Sequence, residues 1–432
     1  MNRSLTIIGG GFSGIAAAVR AAEAGKEPLL LERRPFLGGR AYSFSHDNLP
    51  YTVDNGQHVL MRCCTHVIDL LEKIGADEVS FQAGFRIPFL SKEGTAHILS
   101  APSWLPTQLG LFVAFARYSP AGLSAALGLR RVQRDLRRPP TGVSVADWLK
   151  SSGQTDRIQR SFWIPLCHSV MNASPEDAPA DELLTVLSEA FGTPSGAAMG
   201  WATTGLTELC ASKARAFIES RGGQVRSSAF VTEMTQETDQ WSLDLRNADT
   251  VVSKRVILAV PPLRAADLLG HVLPDLANLL TRYTPSPILG INLWFDRPIM
   301  NTAFVGFLDG SVEWVFDRQA LTGQPSEHGY HYALVTSASS KLLEHDDADL
   351  VDIALDELRS RKLVQPDEEP VRTLVIQERQ ATYLRPLGDP PIPNGTDLSG
   401  LFLAGDWTDT SLPPTIEGAV RSGNRAADLA LV

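Results

Sequence analysis

The stretch Gly9-Gly10-Gly11-Phe12-Ser13-Gly14 follows directly on the apolar run Leu5-Thr6-Ile7-Ile8 and opens an alanine-rich segment reaching about Ala24. A G-x-G-x-x-G pattern between a strand and a helix constrains the fold more than any other feature of the chain. Its glycines permit a tight turn, a close approach of backbone to a pyrophosphate and close helix–strand packing, and the helix N-terminus faces the negative charge. Leu29-Leu30-Leu31 then read as the second strand of a βαβ unit. Glu32 ends that strand, where a carboxylate binds ribose hydroxyls and repels a 2′-phosphate. The expected ligand is a dinucleotide with an unphosphorylated adenosine, NAD or FAD. The competing reading of Glu32 is a strand-end surface charge.

Two further segments favour FAD. In Glu32-Arg33-Arg34-Pro35-Phe36-Leu37-Gly38-Gly39-Arg40 the paired glycines allow a close backbone turn, and Arg34 and Arg40 can reach phosphate oxygens. Near the C-terminus, Leu401-Phe402-Leu403-Ala404 read as a buried strand running into Gly405-Asp406, with a helix expected from Pro414 to about Leu431. A carboxylate at that strand end can bind a ribityl hydroxyl, and the helix N-terminus, with Thr415, Ile416 and Ala419, can stabilise negative charge on a reduced isoalloxazine. NAD has neither group.

Between these ends, residues 52–140 read as mainly helical with irregular connections, and residues 144–220 as helical patterns broken by Pro165, Pro175, Pro179 and Pro194. No strand ladder is visible there. Strand patterns return at Gln224–Arg226, Ala229–Met234, Trp241–Arg246 and Val256–Val260, a small β-meander leading back to the sheet. The reading is an α/β fold: a Rossmann-like FAD-binding domain (parallel sheet plus β-meander) with an inserted α+β substrate-binding domain. The expected boundaries are 1–60, 200–262 and 395–432 for the discontinuous FAD-binding part, and 61–199 with 263–394 for the substrate-binding part.

Composition narrows the partners. With 39 Lys+Arg against 49 Asp+Glu the formal charge is −10, so no positive field exists to collect a polynucleotide, and nucleic acid is not an expected partner. Four cysteines, at 63, 64, 167 and 210, make no disulfide framework and suit a reducing compartment, the cytoplasm. Cys63, Cys64 and His66 do not read as a metal site, because adjacent thiolates do not readily meet at one ion and no second ligand pair follows. The apolar stretch from Leu5 runs straight into glycines, unlike a secretory signal, and the uncharged stretch around Leu109–Ala116 is too short to span a bilayer. Local charge inverts between Ala101 and Arg138, which hold six arginines and one acid, Asp135. A helix opening at Ser119-Pro120 would carry Leu129, Val132 and Leu136 on one face and Arg130, Arg134 and Arg137 on another. With Trp104, Leu109, Phe112 and Val113 before it, segment 101–138 reads as an in-plane element on an anionic leaflet, the alternative being a core-packed helix with a solvated basic face.

The opening glycine motif, the Gly38-Gly39-Arg40 segment and the closing Gly405-Asp406 resemble the FAD-dependent amine oxidase and phytoene desaturase superfamily. Val53-Asp54-Asn55-Gly56-Gln57-His58, Phe162–Cys167, Asn172, Ala404–Thr410 and Pro414–Val420 are similar, more narrowly, to the hydroxysqualene dehydroxylases. That resemblance implies reductive removal of the hydroxyl of hydroxysqualene to give squalene, towards hopanoids, with reduced FAD as hydride donor. It implies cofactor contacts from Gly9, Gly11, Phe12, Ser13, Gly14, Glu32, Arg33, Arg34, Gly38, Gly39, Arg40, Gly56, Gln57, His58, Val231, Gly405, Asp406, Thr415, Ile416 and Ala419. The FAD is expected to be non-covalent, since no cysteine lies near Gly405-Asp406. NAD(P)H is the candidate electron donor, and upstream squalene-pathway enzymes are candidate partners.

The chemistry requires an apolar tunnel and an acid for the leaving hydroxyl. His58 is the candidate acid, with Gln57 beside it; the alternative is that both only hydrogen-bond the flavin or the backbone. Asp54 reads as a structural acceptor, because an ionised carboxylate has no proton to give. Phe162, Trp163, Trp294 and Tyr383 are candidate aromatic faces for a developing allylic cation, although such residues are more often core. An isoprenoid lipid would enter from a membrane, which places the protein peripherally on the inner face of the cell membrane. The competing functions are a carotenoid-type desaturase with reversed electron flow, an amine oxidase, and a prenyl-lipid carrier with no redox role.

Overall fold

The computed structural model describes residues 2–47, 49, 51–101, 107–118, 123–193, 195–323 and 328–432. Its centre is a five-stranded parallel sheet in the order Gln224–Arg226, Leu29–Leu31, Thr6–Ile8, Val256–Leu258, Leu401–Leu403. These strands read as unbroken apolar runs because both sheet faces are covered. Ile7, Leu30 and Ile257 pack with helices Phe12–Glu23 and Ile416–Leu431. Ile8, Leu29, Leu31 and Leu258 pack with the meander on the other side. The two helices approach closely because of Gly423, where a Cβ would lie 2.1 Å from the Ser13 carbonyl oxygen. The meander consists of Val231–Glu237, Gln240–Leu245 and Thr250–Ser253, extended in parallel by Asn2–Arg3. The closing helix starts at Ile416 rather than Pro414, with the Thr415 hydroxyl capping it by accepting from Gly418 N–H at 3.1 Å.

A seven-stranded mixed sheet lies beside this unit, in the order Arg372–Leu384, Thr284–Phe295, Tyr330–Ser337, Trp314–Asp317, Phe304–Phe307, Arg86–Leu90, Ala96–Ser100. Helices Thr107–Arg117, Leu123–Arg137, Val145–Ser151, Ile164–Met171 and Ala180–Ala190 pack around a second apolar centre containing Phe85, Phe89, Leu99, Trp148 and Trp163. Residues 52–140 do hold the helices Thr65–Lys73, Thr107–Arg117 and Leu123–Arg137, but the expectation of no strand ladder there is wrong. Arg86–Leu90 and Ala96–Ser100 form an antiparallel hairpin on the edge of this sheet. Val59–Met61 and Val79–Phe81 flank Met199–Ala202 in a separate three-stranded sheet. These strands are only three to five residues long, and Pro88 interrupts the pattern of one of them, at a position ahead of the register with Phe304–Phe307, which begins at Phe89. Their pairing is set by tertiary contacts, so the local sequence carries little sign of it.

The long strands Thr284–Phe295 and Arg372–Leu384 pair antiparallel, with a register shift between Ser286 and Ile288. Pro287 sits at that shift and has no N–H to give to a ladder. Ile288, Gly290, Gln380 and Thr382 beside the irregularity face a large internal cavity.

Candidate active site

The cavity, of about 770 Å3, runs from the mouth of the parallel sheet to the helices of the second apolar centre. That volume lies within the usual range for ligand sites. Its polar end is built on the glycine turn. Gly9 has φ +107°, and a Cβ there would lie 2.3 Å from the Ala259 carbonyl oxygen; at Gly14 a Cβ would lie 1.8 Å from the Gly9 carbonyl oxygen. Gly14 thus closes the turn from behind and does not itself face the cavity, unlike Gly9, Gly11, Phe12 and Ser13. Glu32 is buried and accepts the Gly10 N–H at 2.7 Å and the Arg34 N–H at 2.7 Å. It is therefore no free surface charge: it braces the turn and lines the cavity.

The second glycine pair completes the cradle. Gly38 N–H donates to the Gly10 carbonyl at 2.8 Å, and a Cβ on Gly39, at φ +62°, would lie 2.9 Å from Gly11 Cα. Arg34 donates to the Gly39 carbonyl at 2.9 Å and lies over the rings of Phe36 and Tyr42. Arg40 makes a forked pair with Asp406 at 2.7 and 2.8 Å and donates to the Ala381 carbonyl at 3.0 Å. The two segments read separately, one for phosphate and one for a ribityl hydroxyl, are thus joined to each other across the chain. Arg33, Arg34, Arg40 and Asp406 all line the cavity, as do Val231, Gly405, Thr415, Ile416 and Ala419.

Gly56, Gln57 and His58 lie between the polar and apolar parts of the wall, just before strand Val59–Met61. Asp54 is a structural acceptor, as expected: it takes the Ser43 hydroxyl at 2.7 Å, the Leu206 N–H at 3.0 Å and Arg318 at 3.1 Å. Arg318 also donates to the Gln57 side-chain oxygen, so one guanidinium fixes both residues. No sequence signal marked Arg318, because it lies on another part of the chain with no motif around it. Burial holds the His58 imidazole below its ordinary pKa, and the Asp54 carboxylate only partly offsets this.

Much of the remaining wall is apolar, with Phe85, Ile87, Phe162, Leu166, Val170, Leu187, Phe191, Ile288, Trp314 and Phe316. Of the four aromatic candidates, Phe162 and Tyr383 reach the cavity; Trp163 and Trp294 do not. Trp163 packs edge-on against Trp148 at 5.2 Å and donates its N–H to Gln154 at 3.1 Å. Trp294 stacks on His331 at 4.2 Å and donates to the Tyr51 hydroxyl. Both are core residues whose polar edge is already satisfied. Asn172 also lines the cavity, bonded to Ser286 and Thr382 on the two long strands.

A Rossmann-like sheet whose strand ends, two glycine turns and closing helix all face one cavity defines a dinucleotide-dependent oxidoreductase. The chain belongs to the flavin containing amine oxidoreductase family, which it matches over residues 12–431. It is 29% identical to the hydroxysqualene dehydroxylase of Rhodopseudomonas palustris, over all of this chain and 99% of that protein. It is 23% identical to the 15-cis-phytoene desaturase of Solanum lycopersicum, over 98% of this chain and 76% of that one. Among solved structures, an oxidoreductase from Methanosarcina mazei superposes with a TM-score of 0.77 at 16% identity, covering 99% of this chain and 100% of its own.

The residues present fit FAD. At Gly9, Gly14, Gly38 and Gly39 a Cβ would lie under 3.0 Å from backbone atoms, so the turns close up only with glycine, helix Phe12–Glu23 has no side-chain cap at Gly11, and Glu32 lines the cavity. The chain is an FAD-dependent oxidoreductase of this family.

Proposed function

We propose that this oxidoreductase reductively removes the hydroxyl of hydroxysqualene to give squalene, in hopanoid or isoprenoid biosynthesis. The observation that carries the reading is a cavity that runs from the glycine turns to a wall rich in apolar side chains, in a chain similar end to end to a hydroxysqualene dehydroxylase. FAD, when bound and reduced, supplies the hydride. Gly9, Gly11, Glu32, Gly38, Gly39, Arg34 and the Arg40–Asp406 pair would hold it. The apolar wall excludes water and takes the isoprenoid chain, with Phe162 and Tyr383 offering ring faces to positive charge at the reacting carbon. His58 gives the proton with which the hydroxyl leaves as water, and Gln57, held by Arg318, keeps that stretch of wall in place. NAD(P)H is the proposed source of electrons, and upstream squalene-pathway enzymes the proposed suppliers of substrate.

The test is anaerobic incubation of the purified protein with hydroxysqualene and reduced FAD, followed by mass spectrometry of the lipid. Squalene formed with flavin oxidation supports the reading. Untouched hydroxysqualene, with bleaching of the oxidised enzyme by a polyene precursor, replaces it with a desaturase; the similarity to 15-cis-phytoene desaturase is the observation behind that second reading.

A pH prediction follows from His58. Its protonated form is the donor and burial lowers its pKa, so kcat/KM should fall as pH rises through a value below 6.5. His58→Ala should lower the rate about 100-fold or more and abolish that limb, since general acid catalysis contributes roughly 100- to 10,000-fold. A wild-type profile flat between pH 5 and 8 would remove His58 from the role.

No helix among the described residues is long and apolar enough to cross a membrane. Peripheral contact with an anionic membrane face is proposed instead, at the inner surface of the cell membrane. Trp104, Ser119 and Pro120 lie outside the described residues, as do the side chains of Leu129 and Arg130. Of the rest, Leu109 and Phe112 are 50% and 41% exposed on helix Thr107–Arg117. Val132 is buried beneath helix Leu123–Arg137, while Arg134, Arg137 and Arg138 are exposed. Replacing those three arginines by Glu should cut co-sedimentation with phosphatidylserine-containing vesicles at least tenfold, with each basic residue near such a surface contributing about 1 kcal/mol. Unchanged sedimentation would mean that the basic face is merely solvated.

A further inference from the structure

Cys63 and Cys64 stand at the seam of the molecule, where Cys63 packs against the second apolar centre and Cys64 against the first. Both line the cavity. The backbone holds the pair in place: Cys63 N–H donates to the Gly196 carbonyl at 3.0 Å, Cys64 N–H to Met61 at 2.9 Å, and Thr65 N–H back to the Cys63 carbonyl at 2.8 Å. The two neighbouring thiols interact, which lowers the pKa of Cys63 and raises that of Cys64, so Cys63 is the favoured thiolate of the pair. Cys167 and Cys210 are buried in the core with pKa values pushed up to about 12 by burial, and neither lines the cavity.

We propose that Cys63 and Cys64 form an oxidisable vicinal dithiol in the cavity wall, a modification site for hydrogen peroxide and other small thiophilic electrophiles. The Cys63 thiolate attacks one peroxide oxygen, the O–O bond breaks, hydroxide leaves, and Cys63 becomes a sulfenic acid. The Cys64 thiol then attacks the Cys63 sulfur; the S–S bond forms and the sulfenic oxygen departs with a proton as water. In total, two thiols and one peroxide give one disulfide and two waters. The peroxide is the product of dioxygen reacting with reduced flavin, and only this choice of oxidant rests on the reading of the cavity as a flavin site. Neighbouring Cα atoms are about 3.8 Å apart, shorter than the 4.4–6.8 Å common for disulfides. The ring is therefore strained and is reopened readily by a dithiol. Closure would also disturb helix Thr65–Lys73, whose His66 and Val67 N–H groups are held by Glu417 beside the flavin-facing turn.

The experiment uses the full-length flavoprotein and two reagents. Phenylarsine oxide, which needs two thiols within reach of one arsenic, should bind one per chain. It should be removed by a dithiol and not by a monothiol, and binding should be lost in Cys63→Ser and in Cys64→Ser but kept in Cys167→Ser and Cys210→Ser. Stoichiometric peroxide should remove two free thiols and 2 Da from the peptide holding residues 63 and 64, both restored by dithiothreitol. Arsenical binding that survives Cys63→Ser, or none in the wild type, would overturn the dithiol. A stable sulfinic acid on Cys63 with Cys64 still free would overturn the closure. Flavin absorbance and circular dichroism confirm that each variant is folded. The arsenical result is independent of which lipid the enzyme reduces, so failure of the dehydroxylation assay leaves it intact.

Discussion

Gly14→Ala should purify with little or no flavin, and Gly14→Val with none. The position is occupied on every side that matters: a Cβ would lie 1.8 Å from the Gly9 carbonyl oxygen and 3.3 Å from the Ala259 side chain. Both neighbours belong to strand ends that cannot recede, because Ile8 and Leu258 are buried and paired in the parallel sheet. The helix must therefore back away from the turn, which separates the N-terminus of Phe12–Glu23 from Glu32 and from the Gly38–Gly39 turn. Overpacking of this kind costs about 1–3 kcal/mol, and loss of the cradle geometry adds to it, so flavin affinity should fall at least ~10-fold for Ala, each 1.4 kcal/mol being a factor of ten. Gly84→Ala is the control: nothing lies within 4 Å of the added Cβ, and its flavin content should match the wild type. Titration of apoprotein with FAD, followed by flavin fluorescence quenching, measures all three. Undiminished affinity in Gly14→Ala would mean that the glycine turn does not form the binding edge.

The polar half of this site was legible because its signals are local. A turn that must approach a phosphate needs glycine, a strand end that meets a ribose needs a carboxylate, and both occur within a few residues of a strongly apolar strand. Gly9, Gly11, Phe12, Ser13, Glu32 and Gly405-Asp406 therefore line the cavity, whereas Gly14 closes the turn from behind it. What joins them was not legible. The Arg40–Asp406 pair spans 366 residues and the Arg318–Asp54 pair 264, and no periodicity encodes a contact between two isolated charges so far apart. The aromatic candidates divide for the same reason. Phe162 and Trp163 are neighbours in sequence, yet they lie in the π-helical turn Gln159–Trp163, where one ring points into the cavity and the next into the core. The short strands between 59 and 100 escaped for a different reason: a strand of three to five residues takes its stability from its partners, and those partners were themselves unread.

Asn172→Ala is expected to be the most destabilising single change in the apolar half, by about 3–5 kcal/mol, a large share of the 5–15 kcal/mol typical of a folded protein. Asn172 ends helix Ile164–Met171 in the left-handed region, at φ 49° and ψ 41°, where Asn is tolerated and a Cβ without a polar arm costs roughly 1–2 kcal/mol. Its side chain donates to the Ser286 carbonyl at 3.1 Å and to the Thr382 hydroxyl at 2.8 Å, and accepts the Ala338 N–H at 2.7 Å. Removing it strands buried groups on three segments, each lost partner costing about 1–3 kcal/mol. Asn172→Asp separates the electrostatic part from the steric part. The carboxylate keeps the acceptor for Ala338 but, when ionised, faces the Ser286 carbonyl with no proton to give. Burial raises its folded-state pKa, so the protonated form is favoured in the fold and stability falls as pH rises through that value. Urea denaturation should therefore show Asp closer to wild type at pH 5 than at pH 8, whereas Ala should be weakened equally at both. Two of the segments tied to Asn172 carry Ile288 and Tyr383 of the cavity wall, and the helix it ends carries Leu166. Loosening them should raise KM for a long apolar substrate.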